Sequence, residues 1–407
     1  MIKGYRLKIF PKEEQKQLLQ KSFGSSRFIY NWCIDEIQNH YKITKKHLSK
    51  FELSNRLTAL KKVNSLSWLN EISTYTLRHS IFDCTKAYKR WFDMINKNGV
   101  RFSQKVLKRC DRENRKPIIN ESDGFPRYKS RKSEQKCPTR PERMTFKGRY
   151  VHLEKIGDVK LAKVKLDLNG KIMNSRIHFD GVDYWLSFSI EYSDIQKNIK
   201  SKTQPKTEPI GIDLGLTTLV YCSNQMKFKK PYVKKLDKKI KRFQRRASKI
   251  YQPMIDYCMK TKTKFSTLVK SNNLIKLEKK LRKYQIKKTN ILISNIHKVT
   301  SELIKLNPER IVIENLNVEQ MKKVHHMARL VKDAKFYEIK RQLIYKCRNN
   351  DINLVIADRW YPSSKTCSNC GTIKYDLKLK DRIFRCPHCG TVIDRDLNAA
   401  INLSKIS

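Results

Sequence analysis

The chain has 407 residues, enough for two or more domains with their own cores, and it carries 89 Lys+Arg against 38 Asp+Glu, a formal net charge of +51. A charge of that size repels itself without a polyanionic partner; nucleic acid is the obvious one, although charge alone leaves a ribosomal-type binder open. Hydrophobic content is 39%, but 18 Tyr, 16 Phe and 5 Trp argue against wholesale disorder, and no stretch approaches the roughly 18 apolar residues of a membrane span or the core of a signal peptide.

Residues 1–10 alternate as a strand, with Tyr5, Leu7 and Ile9 against Arg6 and Lys8, and Pro11 ends the run. Residues 12–96 read as helices: Leu18, Leu19 and Phe23, then Phe28, Ile29, Trp32 and Cys33, then Leu77, Ile81, Cys84, Tyr88, Trp91 and Phe92 recur at helical spacing. Residues 97–142, rich in Lys/Arg, Asn, Ser, Gly and Pro, read as a linker or a loop ordered by a ligand. Residues 145–192 return to short alternating strands, and the Asp-Gly pair within RIHFDGVDYWLSFSIEY predicts an antiparallel hairpin.

A Lys/Ser/Thr/Gln/Pro linker at 195–209 precedes a change of pattern. IGIDLGLTTLVYC (210–222) is a strand entering a hairpin. Residues 227–250 hold twelve Lys/Arg against one acid, with Leu236, Ile240, Phe243 and Ile250 at helical intervals, which predicts a helix with one apolar stripe and a basic back. A second long helix is expected over 271–305 and a further one over 334–350. RIVIEN (310–315) and NLVIAD (353–358) are short apolar runs consistent with interior strands, so the alternation of strand and helix points to an α/β core.

Two Cys-x-x-Cys pairs, Cys367/Cys370 and Cys386/Cys389, are separated by fifteen residues, which lies within zinc-ribbon spacing. Four thiolates suit the tetrahedron of Zn²⁺, and a closed site of this kind holds a finger together rather than catalysing. The remaining seven cysteines are scattered and read as small buried hydrophobes. His388, His325 and His326 have no partner that assigns them a role.

Chemistry must come from elsewhere, and Asp213, Glu314 and the Asp394/Asp396 pair mark strand ends or a helix start. Carboxylates converging on one spot repel unless a divalent cation neutralises them, and Mg²⁺ takes such hard oxygen ligands. Two such ions about 4 Å apart serve phosphodiester cleavage. A basic chain with such a cluster therefore reads as a nuclease or polynucleotidyl transferase. Taken singly, Asp213 also suits a turn before Gly215, Glu314 a loop start, and either Asp394 or Asp396 a helix cap; Asp358 also ends an apolar strand. Asp396 is the preferred member of its pair, because Asn398 and the small Ala399 and Ala400 after it let the helix start lie close against a sheet.

IGIDLGLTT, RIVIENLN, WYPSSKTCSNCG (360–371), FRCPHCG (384–390) and DRDLNAAINL (394–403) resemble the successive motifs of the TnpB/OrfB proteins of bacterial insertion sequences, relatives of compact type V CRISPR effectors. FGSSRFIYNW (23–32), AYKRWF (87–92), GFPRYKSRK (124–132) and QLIYK (342–346) are similar to further segments of that family in the same order. The resemblance implies a multidomain α/β protein: a wedge β-barrel from 1–11 and 120–200, a helical recognition lobe with linker over 12–119, an RNase H-like RuvC nuclease domain from 208–360 and 392–407, and an inserted zinc ribbon at 361–391. It implies Asp213, Glu314 and Asp396 as catalytic acids binding Mg²⁺ or Mn²⁺, and Cys367, Cys370, Cys386 and Cys389 as zinc ligands. It further implies a guide RNA from the transposon end as cofactor and partner, and cleavage of double-stranded DNA beside a short motif. No membrane partner is expected; the resemblance fits a monomer with its RNA, in a prokaryotic cytoplasm beside the nucleoid.

Two basic segments are expected on nucleic acid: 124–132 through Arg127, Lys129, Arg131 and Lys132, and 227–250 through Lys241, Arg242, Arg245 and Arg246. Residues 97–122 are longer than the family's connection after AYKRWF, and 251–270 replaces a more uniformly basic link. Competing readings are an RNA-guided DNA-binding repressor, which the retention of all three acids disfavours, and a CRISPR-associated nuclease of the same chemistry. A basic zinc-ribbon protein leaves Asp213 and Glu314 unexplained, and strand joining by a transposase is open to the fold.

Overall fold

Strand-period alternation organises the first of two units, residues 1–193, in the computed structural model, which describes residues 2–131, 134–164, 166–192, 205–263, 265, 268–378 and 381–406. Its strands are β1 (Ile2–Phe10), β2 (Gln135–Pro138), β3 (Thr145–Lys147), β4 (Tyr150–Leu153), β5 (Gly157–Leu161), β6 (Lys171–Phe179) and β7 (Tyr184–Glu191), ordered β2-β6-β7-β1-β5-β4-β3 with every neighbour antiparallel. Tyr184, Leu186, Phe188 and Ile190 of β7 face the core while the residues between them do not, the period-2 signature of a sheet with one covered face. The β6–β7 turn falls on Asp180-Gly181 as expected; Asp180 Oδ1 accepts from the amides of Val182 and Asp183 at 2.9 Å each, and Gly181 takes φ +93°. The sheet ends at β2 and β3, and among the described residues no pairing joins those edges. The closed barrel expected of a wedge is therefore not seen; the strands form an open sheet.

Three long helices follow from the apolar spacing in 12–96: α1 (Glu13–Thr44), α2 (Lys50–Leu60) and α3 (Thr74–Asn98). Ile29, Cys33, Ile34 and Ile37 of α1 meet Leu77, Ile81, Cys84 and Trp91 of α3 in a core of their own. The segment expected as a linker is ordered by its own side chains. It contains α4 (Gln104–Arg112), and Glu121 gathers Arg115 at 2.7 and 2.8 Å, Arg109, and the amide of Ile118 at 3.2 Å. Trp91 Nε1 donates to Ser122 Oγ at 2.9 Å and pins the end of this segment to α3. A carboxylate inside the segment does the ordering assigned to a ligand.

The second unit, residues 194–407, is built on a five-stranded sheet. The strands are β8 (Ile210–Asp213), β9 (Thr218–Cys222), β10 (Lys227–Lys229), β11 (Arg310–Ile313) and β12 (Asn353–Ile356), in the order β10-β9-β8-β11-β12. β8, β9 and β10 form an antiparallel meander, and β11 runs parallel to both β8 and β12. Between β10 and β11 lies a helical hairpin, α5 (Lys234–Thr261) and α6 (Asn272–Lys305). The basic run 227–250 is therefore split: its first residues pair as β10, and the helix starts only after Pro231, then continues through Pro253. The expected linker at 195–209 lies outside the described residues up to 204.

After β11 come α7 (Val318–Lys323), α8 (His325–Ala334) and α9 (Phe336–Asn349); after β12 a small hairpin, β13 (Ile383–Arg385) and β14 (Val392–Asp394), leads into α10 (Arg395–Ser404). Ile311 and Ile313 pack with Ile296 and Val299 of α6 and Ile339 and Leu343 of α9. Val312, between them, packs instead with Leu403 of α10. Alternation along one strand thus places helices on both faces of the sheet.

Candidate catalytic site and its four-cysteine neighbour

Parallel pairing decides where two of the acids sit. Ile212 of β8 is opposite Ile313 of β11, so Asp213, the last residue of β8, and Glu314, the first residue after β11, lie side by side at the carboxyl ends of the two strands. The third comes from the start of α10, which packs across β8. Asp394 caps that helix, its Oδ1 accepting from the amides of Asp396 at 2.9 Å and Leu397 at 3.1 Å. The pair is thereby divided: Asp394 is committed to the cap, while the charge of Asp396, the member preferred from the sequence, acts on Asp213 and Glu314.

Burial pushes Asp213 well above the usual carboxylate range, and the charges of Glu314 and then Asp396 push it further; Arg395 opposes them. Glu314 is also raised, chiefly by burial, against a hydrogen bond from Ser363 Oγ at 2.7 Å and the Arg395 charge. Arg382 stands 4.0 Å from Asp396. Two partly buried carboxylates, Asp213 and Glu314, both raised and both acted on by the Asp396 charge, are a site short of positive charge, the electrostatic condition a divalent cation satisfies. Asp358 is not drawn in: it is exposed, and its Oδ1 accepts from the Trp360 amide at 2.7 Å to form a turn. A cleft of about 440 Å³ opens beside Glu314, lined among others by Asn315, Tyr337, Lys340 and Arg359.

The four cysteines meet as their spacing predicts. Their sulfurs all lie within 4.8 Å of one another, with Cys370 and Cys386 3.5 Å apart and Cys367 and Cys389 3.6 Å apart. A zinc tetrahedron with bonds of about 2.3 Å has edges of roughly 3.8 Å, so the residues fit that ion closely. Gly371 at φ +78° and Gly390 at φ +69° make the two turns, a conformation that disfavours any other residue. Thr372 Oγ1 lies 3.3 Å from Cys370 Sγ and holds that thiol down to about 5; Thr391 does the same, in direction, for Cys389 at 3.0 Å. Both favour the thiolate a metal needs. Among the described residues these cysteines are the one group of three or more candidate ligands gathered so tightly; the acids are spread wider, and His388 is exposed and outside the group.

The basic residues divide. Lys241, Arg242, Arg245 and Arg246 are all exposed on α5 and share a groove with Lys238 and Lys249. Arg127 and Arg131 are exposed, and Lys132 lies outside the described residues. Lys129 is not a surface cation: its ammonium sits 3.4 Å over the Tyr30 ring, and burial lowers it to about 8. Its backbone exchanges bonds of 2.8 and 3.0 Å with the Asn31 side chain, which ties GFPRYKSRK to FGSSRFIYNW.

Sequence reasoning missed Ser363, which touches Glu314, and the roles of Asn398 and Asn402, which are almost fully buried on α10. The available signal was two amides one helical turn apart among apolar residues, since buried amides need partners.

Three family models match. One described as a helix-turn-helix domain covers residues 1–46, one described as a probable transposase of the OrfB/IS605 type covers 187–325, and one described as a Cas12f1-like TNB domain covers 336–403. Within the first match, residues 13–44 form one unbroken helix. A Streptomyces pristinaespiralis protein named "Putative RNA-guided DNA endonuclease" is 26% identical over 98% of this chain and 88% of its own length. A TnpB-like protein of Acanthamoeba polyphaga mimivirus is 24% identical over 100% of this chain and 73% of its own. Among solved structures, CasPhi-2 (Cas12j) bound to crRNA and phosphorothioate DNA superposes with a TM-score of 0.47 at 11% identity, covering 99% of this chain and 91% of that one.

Proposed function

The chain belongs to the TnpB/OrfB family, and on that premise we propose that it is an RNA-guided DNA endonuclease of RuvC type, cutting double-stranded DNA beside a short motif. The observation that carries this is the convergence of Asp213 and Glu314, set side by side by the β8–β11 register, with Asp396 of α10 close enough for its charge to act on both, in a chain of net charge +51. The strand order, an antiparallel meander followed by two parallel strands with α10 laid across it, supports an RNase H-like reading of residues 208–360 and 392–407.

Asp213, Glu314 and Asp396 would hold Mg²⁺ or Mn²⁺, which when bound supplies activation of water and neutralisation of the leaving oxygen. The protein's own part is positional. β8 and β11 set two carboxylates in register, and α10 brings the third. Arg382 and Arg395 offset their repulsion while a cation is absent. Cys367, Cys370, Cys386 and Cys389 would bind one Zn²⁺ and fold the ribbon at 361–391. The exposed cations of α5 would follow a guide-RNA or RNA–DNA backbone, with sequence read by base pairing. The guide comes from the transposon end in this reading, and one chain acts with one RNA.

The test is plasmid cleavage by the purified protein with its co-purifying RNA and Mg²⁺. Guided cutting by the wild type and none by Asp213→Ala is the expected result. Undiminished cutting by Asp213→Ala refutes the assignment.

A further inference from the structure

Two buried amides on α10 grip the segment that carries the first zinc-type cysteine. Asn398 and Asn402 are one turn apart, 0% and 3% exposed, on the same helix as Asp396. Asn398 Nδ2 donates to the carbonyl of Thr366 at 2.7 Å, and its Oδ1 accepts from the amide of Ser368 at 2.9 Å. Those two residues flank Cys367, so one side chain brackets the ligand on both sides. Asn402 Nδ2 donates to the same Thr366 carbonyl at 2.6 Å and to the carbonyl of Ser363 at 2.8 Å. Ser363 then turns its hydroxyl to Glu314 at 2.7 Å.

These contacts make two branches from the cysteine segment to the acids. From Cys367 the path runs through Asn398 into α10 and to Asp396; from the same segment it runs through Ser363 to Glu314. Buried hydrogen bonds of this kind are expensive to leave half-made, because each amide or carbonyl freed would stay out of reach of water. The cysteine knuckle and the acid cluster therefore do not adjust independently.

We propose that Asn398, Asn402 and Ser363 are positioning residues that couple the four-cysteine knuckle to the carboxylate site, so that metal held at the cysteines sets the spacing of the acids and a divalent ion at the acids steadies the knuckle. The inference rests on the reading of Asp213, Glu314 and Asp396 as a divalent-metal site. Coupling between two binding sites is reciprocal, so either direction can be measured. A knuckle that merely folds its own loop would show no dependence on the acids.

The experiment uses the full chain, freed of nucleic acid and loaded with zinc. Zinc transfer to a zinc-selective fluorescent chelator is timed with and without Mn²⁺, and Mn²⁺ binding is followed by electron paramagnetic resonance. In the wild type, Mn²⁺ should slow zinc loss by about fivefold or more, the usual lower range of such couplings. Asp213→Ala should abolish the slowing. Ser363→Ala and Asn402→Ala should still take up zinc but lose most of the slowing, and Ser363→Thr, which keeps the hydroxyl, should restore it. Asp213-dependent Mn²⁺ binding without any change in zinc loss overturns the coupling and leaves the metal site standing. No Asp213-dependent Mn²⁺ binding removes the metal-site reading and the coupling with it. Full slowing in both variants, or in Ser363→Ala alone if Asn402→Ala does not fold, also overturns the proposal.

Discussion

A Cβ placed on Gly211 would lie 1.9 Å from the carbonyl oxygen of Ala400 and 2.4 Å from the amide of Ser404. Bare backbone on β8 is what lets α10 lie against the sheet, and that close approach brings Asp396 to Asp213. Gly211→Ala should force the helix outward, at a stability cost of about 1–3 kcal/mol typical of overpacking. DNA cleavage should fall more steeply than folding does. Thermal unfolding and cleavage rate measured on the same preparation check this; a full loss of Tm with normal cleavage per folded molecule would contradict it.

Asp213→Ala should abolish cleavage while leaving RNA binding close to that of the wild type. In the proposed function the carboxylate is a metal ligand, whereas affinity for RNA would come from phosphate contacts such as those available to the α5 cations. Filter binding of RNA beside plasmid cleavage separates the two.

Stability in the absence of divalent metal should move with pH in a direction set by the same residue. Folding raises the Asp213 carboxyl above its ordinary value of about 3.9, so the native state binds more protons than the unfolded one between that value and the raised one. Stability from this site is therefore lost as pH rises through that window. Asp213→Asn should unfold at a higher temperature than the wild type at pH 8 without metal, and the gap should close toward about pH 4, where the unfolded carboxyl also becomes protonated. Adding Mg²⁺ at pH 8 should stabilise the wild type selectively. Calorimetry at two pH values, with and without Mg²⁺, decides it.

Cys367→Ser should lose bound zinc, from about one ion per chain to near zero, and loosen residues 361–391, because metal affinity at a closed site is also folding free energy. Elemental analysis of protein purified without chelator gives the count, and the wild type must show the ion.

Apolar runs that end in a carboxylate were enough to locate the strand ends at Asp213 and Glu314, and the cysteine spacing was enough to gather the four sulfurs. Asp396 is preferred over Asp394 from the residues after it; which of the two caps the helix is seen only in the structure, where Asp394 takes that role. Contacts between residues far apart in sequence carried no local signal: Ser363 reaches Glu314, and Lys129 turns inward onto Tyr30 although its neighbours Arg127 and Arg131 face solvent. Composition over 97–142 suggests a linker or a loop ordered by a ligand, whereas the structure has α4 within it and Glu121 as an internal partner of Arg115. The open edges at β2 and β3 likewise depend on pairing, which strand propensity does not specify.

The inward turn of Lys129 separates two kinds of charge change. Neutralising Lys241, Arg242, Arg245 and Arg246 should weaken RNA binding and reduce the slope of log affinity against log salt by about 3, as expected for four lost phosphate contacts. Lys129→Ala should leave that slope unchanged and lower the melting temperature of the first unit instead, since it removes a cation packed on Tyr30. Equal slopes for the α5 variant and the wild type would mean that the groove is only a solvated face.

Dependence on RNA is the widest prediction. Residues 13–44, most of the stretch matched as a helix-turn-helix domain, are one helix, so that stretch does not by itself hold the paired helices with which such a domain reads a DNA site. On the proposed function the acids would cut but carry no sequence information, and the exposed cations would contact backbone. Site choice must therefore come from a bound strand. Specific cutting should require a guide RNA and should move to a new site, still beside the same short motif, when the guide segment is changed. It should need Mg²⁺ or Mn²⁺ and fail with Ca²⁺, whose looser coordination binds carboxylates without aligning the attacking water. The measurement is cleavage of a plasmid library by protein stripped of RNA, then supplied with the original or a reprogrammed guide. Site-specific cutting by the RNA-free protein would reject guidance while leaving the metal-dependent chemistry of Asp213, Glu314 and Asp396 in place.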